Sequence, residues 1–236
     1  KYLETVAGYL IEKEIAFIGK ALETPERPFV AILGGAKVSE KINVIDNLID
    51  RADTLIIGGG MANTFLAAQG LNVGTSLTEP DKYDLARKLY AKAHAHGVKV
   101  FLPVDVVVAD DFRADANHKT LKVDQIENGW QALDAGPKTR EQYAQALKGA
   151  KTIVWNGPMG VFEFDAFAAG TEAMAKAVAA ATEAGALSVV GGGDSIAALK
   201  KTGLSDKISH ISTGGGATLE YLEGKDLPGL AVIAEK

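Results

Sequence analysis

Two rhythms of apolar and polar positions run along this chain. In residues 2–22, Ile11, Ile15, Ile18 and Leu22 recur at i, i+4, i+7 and i+11, with Glu12, Lys13 and Glu14 off that stripe. The period predicts an amphipathic helix, which "TPERP", with Pro25 and Pro28, brings to an end. From there the rhythm changes. "FVAIL" leads into "GGAKVSEKINVIDNLI", "TLIIG" into "GGMANTFLAAQG", and "TIVWN" into "GPMGVFEF" and the alanine-rich "FAAGTEAMAKAVAAATEAG". "ALSVVGGG" precedes "DSIAALKK", and "ISHISTGGG" precedes "ATLEYLEG". Short β-branched runs joined to helical segments by brief turns predict βα units. The expected fold is α/β, an open, mostly parallel sheet with helices on both faces.

The stretch from about 98 to 140 departs from this pattern. "VKVFLPVDVVVADDF" is strand-rich, with Pro103 suited to the start or edge of a strand, and "HKTLKVDQI" reads as another short strand. "ENGWQALDAGPKTREQYAQAL" reads as a loop leading into a helix near 139, with Thr139 as its N-cap. No linker divides the chain, so one α/β domain preceded by a helix is the simplest organisation.

Composition narrows the function classes. The 236 residues are long enough to bury a substantial core. A formal charge of −5 with no basic tract argues against nucleic acid as a partner. The absence of cysteine excludes disulfides, thiolate metal sites and a cysteine nucleophile. No apolar run approaches the roughly 20 residues of a membrane span. The charges within "KYLETVAGYLIEKE" do not fit a signal peptide. A soluble cytoplasmic protein is the expectation, and the absence of Met at position 1 raises the possibility of a piece of a longer chain.

Candidate chemistry lies in the turns. Glycine pairs or triplets at 34–35, 58–60, 191–193 and 214–216 follow four of the apolar runs. In an open parallel sheet such turns share the carboxyl edge, where ligands bind. There backbone N–H groups at helix N-termini attract phosphate. One glycine pair makes only a tight turn; four on one edge point to a phosphate-bearing ligand. The dinucleotide fingerprint G-x-G-x-x-G and the Walker pattern are both absent. Lys37 and Lys41 stand at i, i+4 on what reads as the first turns of a helix, either facing an anion or simply solvated. Asp194 in "GGGDS" is either an N-cap or a ligand for Mg²⁺ bridging phosphate oxygens.

"FVAILGGAKVSEKI", "LIIGGGMANTFL", "LPVDVVVADDF", "VWNGPMGVFE", "GGGDS" and "ISTGGGATLEYLEGK" together resemble the successive signature segments of phosphoglycerate kinase, in that family's order over essentially the whole chain. The resemblance implies a Rossmann-like, three-layer α/β domain at 23–236 that binds nucleotide, preceded by a projecting interdomain helix at 1–22. It also implies that the N-terminal domain, which binds 3-phosphoglycerate, lies outside this chain. Nothing here substitutes for that domain's basic patch, because Arg27, Arg51, Arg87, Arg113 and Arg140 are scattered. The implied reaction, a glycolytic one, moves a phosphoryl group reversibly between 1,3-bisphosphoglycerate and MgADP, in an enzyme that is a monomer. This chain alone would bind MgADP or MgATP without catalysing.

The family's roles carry over residue by residue. Lys37 stabilises the transferring group and Lys41 holds the nucleotide phosphates. The amides of Gly192 and Gly193 and the Ser195 end of the helix cradle the terminal phosphate, with Asp194 on Mg²⁺. Gly215 and Gly216 complete the charge cradle. Glu163 accepts the ribose hydroxyls, while Gly34, Gly35, Gly58, Gly59 and Gly136 let adenine lie against backbone. Pro158 and Val161 add apolar wall, and Asn156 a polar contact near the phosphates.

Other features carry less. His94 and His96 read as solvated, and residues 109–115 lack the Gly and Glu of an EF-hand loop. His210, ahead of a glycine turn, reads as structural in preference to assisting substrate binding, and Trp130 and Trp155 read as packing in preference to stacking on a ligand. Two further functions compete: a stand-alone nucleotide-binding or regulatory module, which has no need of Lys37, and a dinucleotide oxidoreductase, disfavoured by the failed fingerprint.

Overall fold

Apolar runs buried on both sides build the centre of the computed structural model, which describes residues 7–231. A helical stretch comes first: α1 (Tyr9–Glu14), a π-turn (Ile15–Gly19) and α2 (Lys20–Glu23). Then follow β1 (Phe29–Leu33), α3 (Ile42–Ile49), β2 (Thr54–Ile57), α4 (Gly60–Ala68), α5 (Tyr83–Ala95) and β3 (Lys99–Phe101). The middle holds β4 (Asp105–Ala109), β5 (His118–Lys122), β6 (Gln131–Ala135) and α6 (Pro137–Ala146). The last third holds β7 (Thr152–Asn156), α7 (Ala169–Glu183), β8 (Leu187–Gly191), α8 (Gly193–Thr202), β9 (His210–Ile211), α9 (Gly216–Leu222) and α10 (Pro228–Ala231).

Six strands form one parallel sheet in the order β3-β2-β1-β7-β8-β9. Alternate side chains of each strand enter opposite cores, as a two-residue period requires. Phe29, Ala31, Leu33, Leu55 and Ile57 pack with α3, α4 and α5. Val30, Ile32, Ile153, Trp155 and Val190 pack with α6, α7 and α8. The chain moves outward from β1 through β2 to β3, then returns to the other side of β1 as β7. That reversal makes β1/β7 a topological switch point, where the flanking loops diverge and open a crevice at the carboxyl edge.

Four local expectations change. A second, antiparallel sheet, β5-β4-β6, stands beside the first, and its strand β6 occupies the stretch read as a loop. "QALDA" has no strong strand pattern of its own; its order comes from pairing with β4 across a bulge at Val107/Val108. Helix α6 begins at Pro137, so Thr139 lies inside it instead of capping it. Its hydroxyl bridges to Asp105, accepting the Asp105 N–H at 3.0 Å and donating to the Asp105 carbonyl at 2.6 Å.

The segment after β1 runs irregularly to Lys41, and α3 starts only at Ile42. Lys37 and Lys41 therefore do not share a helix face. Of the N-terminal stripe, Ile18 and Leu22 are buried, but Ile11 (42%) and Ile15 (40%) remain substantially exposed. They line an apolar groove of about 350 Å³ with Tyr221, Leu227 and Leu230. Residues 1–6 of the expected helix lie outside the described residues.

Candidate functional site

At the switch point the glycine turns after β1, β2 and β7 interlock through backbone. Gly34 N–H donates to the Asn156 carbonyl at 2.9 Å, Gly35 N–H to Pro158 at 3.0 Å and Gly59 N–H to Met159 at 3.2 Å. Gly58 N–H donates to Leu33 at 2.9 Å. Gly34 and Gly59 have no room for a side chain: a Cβ on Gly34 would lie 2.1 Å from the Pro158 carbonyl oxygen, and one on Gly59 would lie 2.7 Å from Gly35 backbone. Four amides that the sequence offered to phosphate are therefore already engaged. What these turns present is a flat, bare wall.

The wall borders a cleft of about 260 Å³. Of the residues expected in a nucleotide site, Gly35, Gly59, Pro158, Val161, Glu163 and Asp194 line it. Gly34 and Gly58 lie buried behind it. Gly136 is not on its surface. It is the N-cap of α6, with the Asp105 carboxylate pressed against it, 2.4 Å from where a Cβ would stand. Asp105 uses those oxygens to accept the Thr139 N–H (2.7 Å) and the Lys138 N–H (3.1 Å). The opposite wall comes from residues that sequence reasoning missed: Ala132 and Leu133 of β6, Leu77 and Phe112. β6 was invisible as a strand. Leu77 (50% exposed) and Phe112 (57%) are large apolar groups in polar loops, a signal that "ADDFRAD" carried for Phe112 and "TSLTEP" for Leu77.

Beyond Asp194 the cleft gives way to a polar end. Here Lys41, half-buried, donates to Asn156 Oδ1. Burial pulls the Lys41 ammonium below the ordinary lysine range, against the pull of Glu40, Asp194 and Glu223, which favour its charge. Gly192 (φ 90°) turns the chain into α8 so closely that a Cβ would meet Asn156 Nδ2 at 3.2 Å. The amides of Gly193, Asp194 and Ser195 form the first turn of α8, where N–H groups have no intrahelical acceptor and the helix dipole is positive. Ser195 Oγ, fully buried, accepts the Gly157 N–H at 2.6 Å and so locks the β7 turn to α8. Lys37 is exposed on the loop after β1, and Gly215 and Gly216 are exposed at the start of α9, one strand further along the edge.

This arrangement can take a ligand that is flat and apolar at one end and anionic at the other. The groove near Tyr221 cannot do the same, since its charged lining groups are Glu14 and Glu220, both of which repel phosphate. Elsewhere the sequence reading of individual residues holds. His210 is buried, stacks on Phe17 at 4.9 Å and lies 3.0 Å from the Glu14 carboxylate, a structural arrangement. Trp155 is core, with its indole N–H donating to the Gly157 carbonyl at 2.8 Å. Trp130 carries the Lys119 ammonium over its ring, and His94 and His96 are exposed. Among the described residues no helix is long and apolar enough to cross a membrane.

Comparison with known proteins assigns the lineage. The family model described as phosphoglycerate kinase matches residues 1–225. The phosphoglycerate kinase of Moorella thermoacetica is 60% identical over 235 residues, covering 100% of this chain and 59% of its own length. That of Chloroflexus aurantiacus is 56% identical over 234 residues, with 99% and 58% coverage. The chain thus spans a little under three-fifths of these relatives. The structure of phosphoglycerate kinase from Coxiella burnetii superposes with a TM-score of 0.92 at 48% identity, over 96% of this chain and 58% of that one. The enzyme from Pyrococcus horikoshii gives 0.80 at 34% identity, over 96% and 56%. Motif order, parallel-sheet architecture and these matches agree: the chain belongs to the phosphoglycerate kinase family.

Proposed function

We propose that this chain is the nucleotide-binding half of a cytoplasmic, glycolytic kinase that exchanges a phosphoryl group between 1,3-bisphosphoglycerate and MgADP. In this reading residues 23–236 form the nucleotide domain and 1–22 the interdomain helix. A separate N-terminal domain supplies the 3-phosphoglycerate site. One observation supports it above others: a flat glycine wall runs from an apolar cleft to a helix N-terminus flanked by Lys41 and Asp194.

The roles follow from the chemistry of each group. The base lies between Gly35/Gly59 and the Ala132–Leu133 edge. Glu163, an acceptor only, takes both ribose hydroxyls. Lys41 and the first-turn amides of α8 hold the phosphates. Asp194 would hold Mg²⁺. The donor set suits that ion, because Mg²⁺ binds through one or two carboxylates plus substrate phosphates, and no cluster of three acidic or histidine ligands occurs among the described residues. When bound, Mg²⁺ neutralises phosphate charge. In the forward direction a terminal ADP oxygen forms the new bond to phosphorus, and the acyl oxygen leaves as the carboxylate of 3-phosphoglycerate. Charge spreads over the transferring oxygens, so catalysis needs positioned donors more than covalent help. Lys37, together with the Gly193 and Gly216 amides, supplies them.

The test is a turnover assay with MgATP and 3-phosphoglycerate. The chain alone is expected to give no turnover above background. Adding the N-terminal portion of the Moorella thermoacetica enzyme is expected to restore it. Turnover by the chain alone would contradict this division of labour.

A further inference from the structure

The cleft rests on a buried carboxyl that the phosphoryl-transfer chemistry does not use. Asp134 follows the cleft-lining Leu133 on β6 and is 4% exposed. Its Oδ2 accepts the Gly170 N–H of α7 at 2.8 Å, while Oδ1 has no hydrogen-bond partner. Two glycines are pressed against that orphan oxygen. A Cβ would lie 2.1 Å from Oδ1 at Gly160 and 2.2 Å from it at Gly170. The Phe167 carbonyl oxygen lies 2.8 Å from the same Gly160 position, so two acceptors face one crowded spot.

A carboxylate there leaves a charged Oδ1 desolvated and unsatisfied, a larger cost than a neutral carboxylic acid carries at the same spot. Burial pushes the Asp134 carboxyl up to about 7. The Gly170 and Ala135 amides and Arg140 of α6 pull the other way, and Glu172 of α7 adds to the rise. From β4, Asp105 is occupied by the α6 amides, and α4 presents no titratable group. The crowded turn is itself cleft wall: Gly160 lines it, and Val161 N–H donates to the Leu133 carbonyl at 2.9 Å.

We propose that Asp134 is a positioning residue of the nucleotide cleft: protonated, it seats the Gly160 turn against β6, and a charge there displaces the turn and weakens nucleotide binding. The inference rests on the nucleotide reading of this cleft. By linkage, a ligand that favours the protonated form raises the pH at which that proton is lost, by the same factor that the proton favours the ligand.

The test is MgADP titration of the parent chain and of Asp134→Asn from about pH 6 to about pH 8.5, with affinity in the parent expected to fall by about tenfold across the range. Asp134→Asn is expected to lose that step while keeping the part due to the nucleotide's own titration. A second measurement uses the parent alone: the Asp134 carboxyl, followed by NMR, is expected to titrate near neutrality and to move upward when MgADP is added. Binding with the same pH profile in parent and variant, or a carboxyl midpoint that ligand does not move, overturns the proposal. If the parent binds no nucleotide at any pH, the nucleotide reading falls and this inference with it.

Discussion

Lys41→Met is expected to lower the affinity for MgADP by roughly ten- to a hundredfold, the equivalent of losing a charge-assisted hydrogen bond of about 1.5–3 kcal/mol. Methionine keeps the apolar stem of this half-buried side chain and removes only the ammonium. The expected loss is at the polar end of the cleft, where Lys41 sits with Asn156 and within the field of Asp194. The pH dependence carries the same signature. Burial lowers the Lys41 pKa, so the charged form, and affinity with it, is lost on the alkaline side earlier than for a solvated lysine. The variant is expected to lack that alkaline fall. Calorimetry across the alkaline range measures both effects. A dissociation constant within about twofold of the parent would remove Lys41 from the site, since even a weak charged hydrogen bond is worth more than that.

Gly157→Ala is expected to destabilise the fold by about 2–5 kcal/mol, the sum of a left-handed penalty of ~1–2 kcal/mol and an overpacking penalty of ~1–3 kcal/mol. Gly157 has φ 99°, and a Cβ there would lie 2.2 Å from the Gly34 carbonyl oxygen, a backbone atom that cannot swing aside. The same residue donates to Ser195 and accepts from Trp155. Relief of the clash would therefore disturb both the core and α8. Gly193→Ala is the contrast: no atom lies within 4 Å of its Cβ position, and the residue opens a helix. Its stability is expected to stay within about 1 kcal/mol of the parent. Denaturant midpoints for the two variants test the claim that the β1 and β7 turns are interlocked while the Gly193 position is open.

That contrast marks how far the sequence was legible. The runs at β1, β2, β7 and β8 are largely apolar on both faces, as strands of a covered parallel sheet are, and they alternate with helical segments, so the central architecture could be read directly. β6 could not be read, because its order comes from β4, far away in sequence terms, and not from its own pattern. The glycines pointed to the carboxyl edge of the sheet, but not to which amides were free. Gly34, Gly35, Gly58 and Gly59 donate to carbonyls of neighbouring strand ends and turns, a fact of tertiary contact. Gly136 matched the idea of bare backbone near a base, yet Asp105 occupies that space. Leu77 and Phe112 were readable as exposed apolar residues, but nothing local said that they face one cleft. The i, i+4 spacing of Lys37 and Lys41 misled because the segment between β1 and α3 is irregular. The N-terminal stripe was half right. Ile18 and Leu22 meet the sheet, and Ile11 and Ile15 face the groove.

The central claim is that the glycine edge of this chain is a MgADP site, and calorimetric titration of the parent and of Asp194→Ala tests it most directly. Saturable binding to the parent and affinity at least about tenfold weaker in the variant are expected, since Asp194 is an exposed carboxylate at the polar end of the cleft. Equal affinities in the two proteins, or no binding to a demonstrably folded parent, would contradict it.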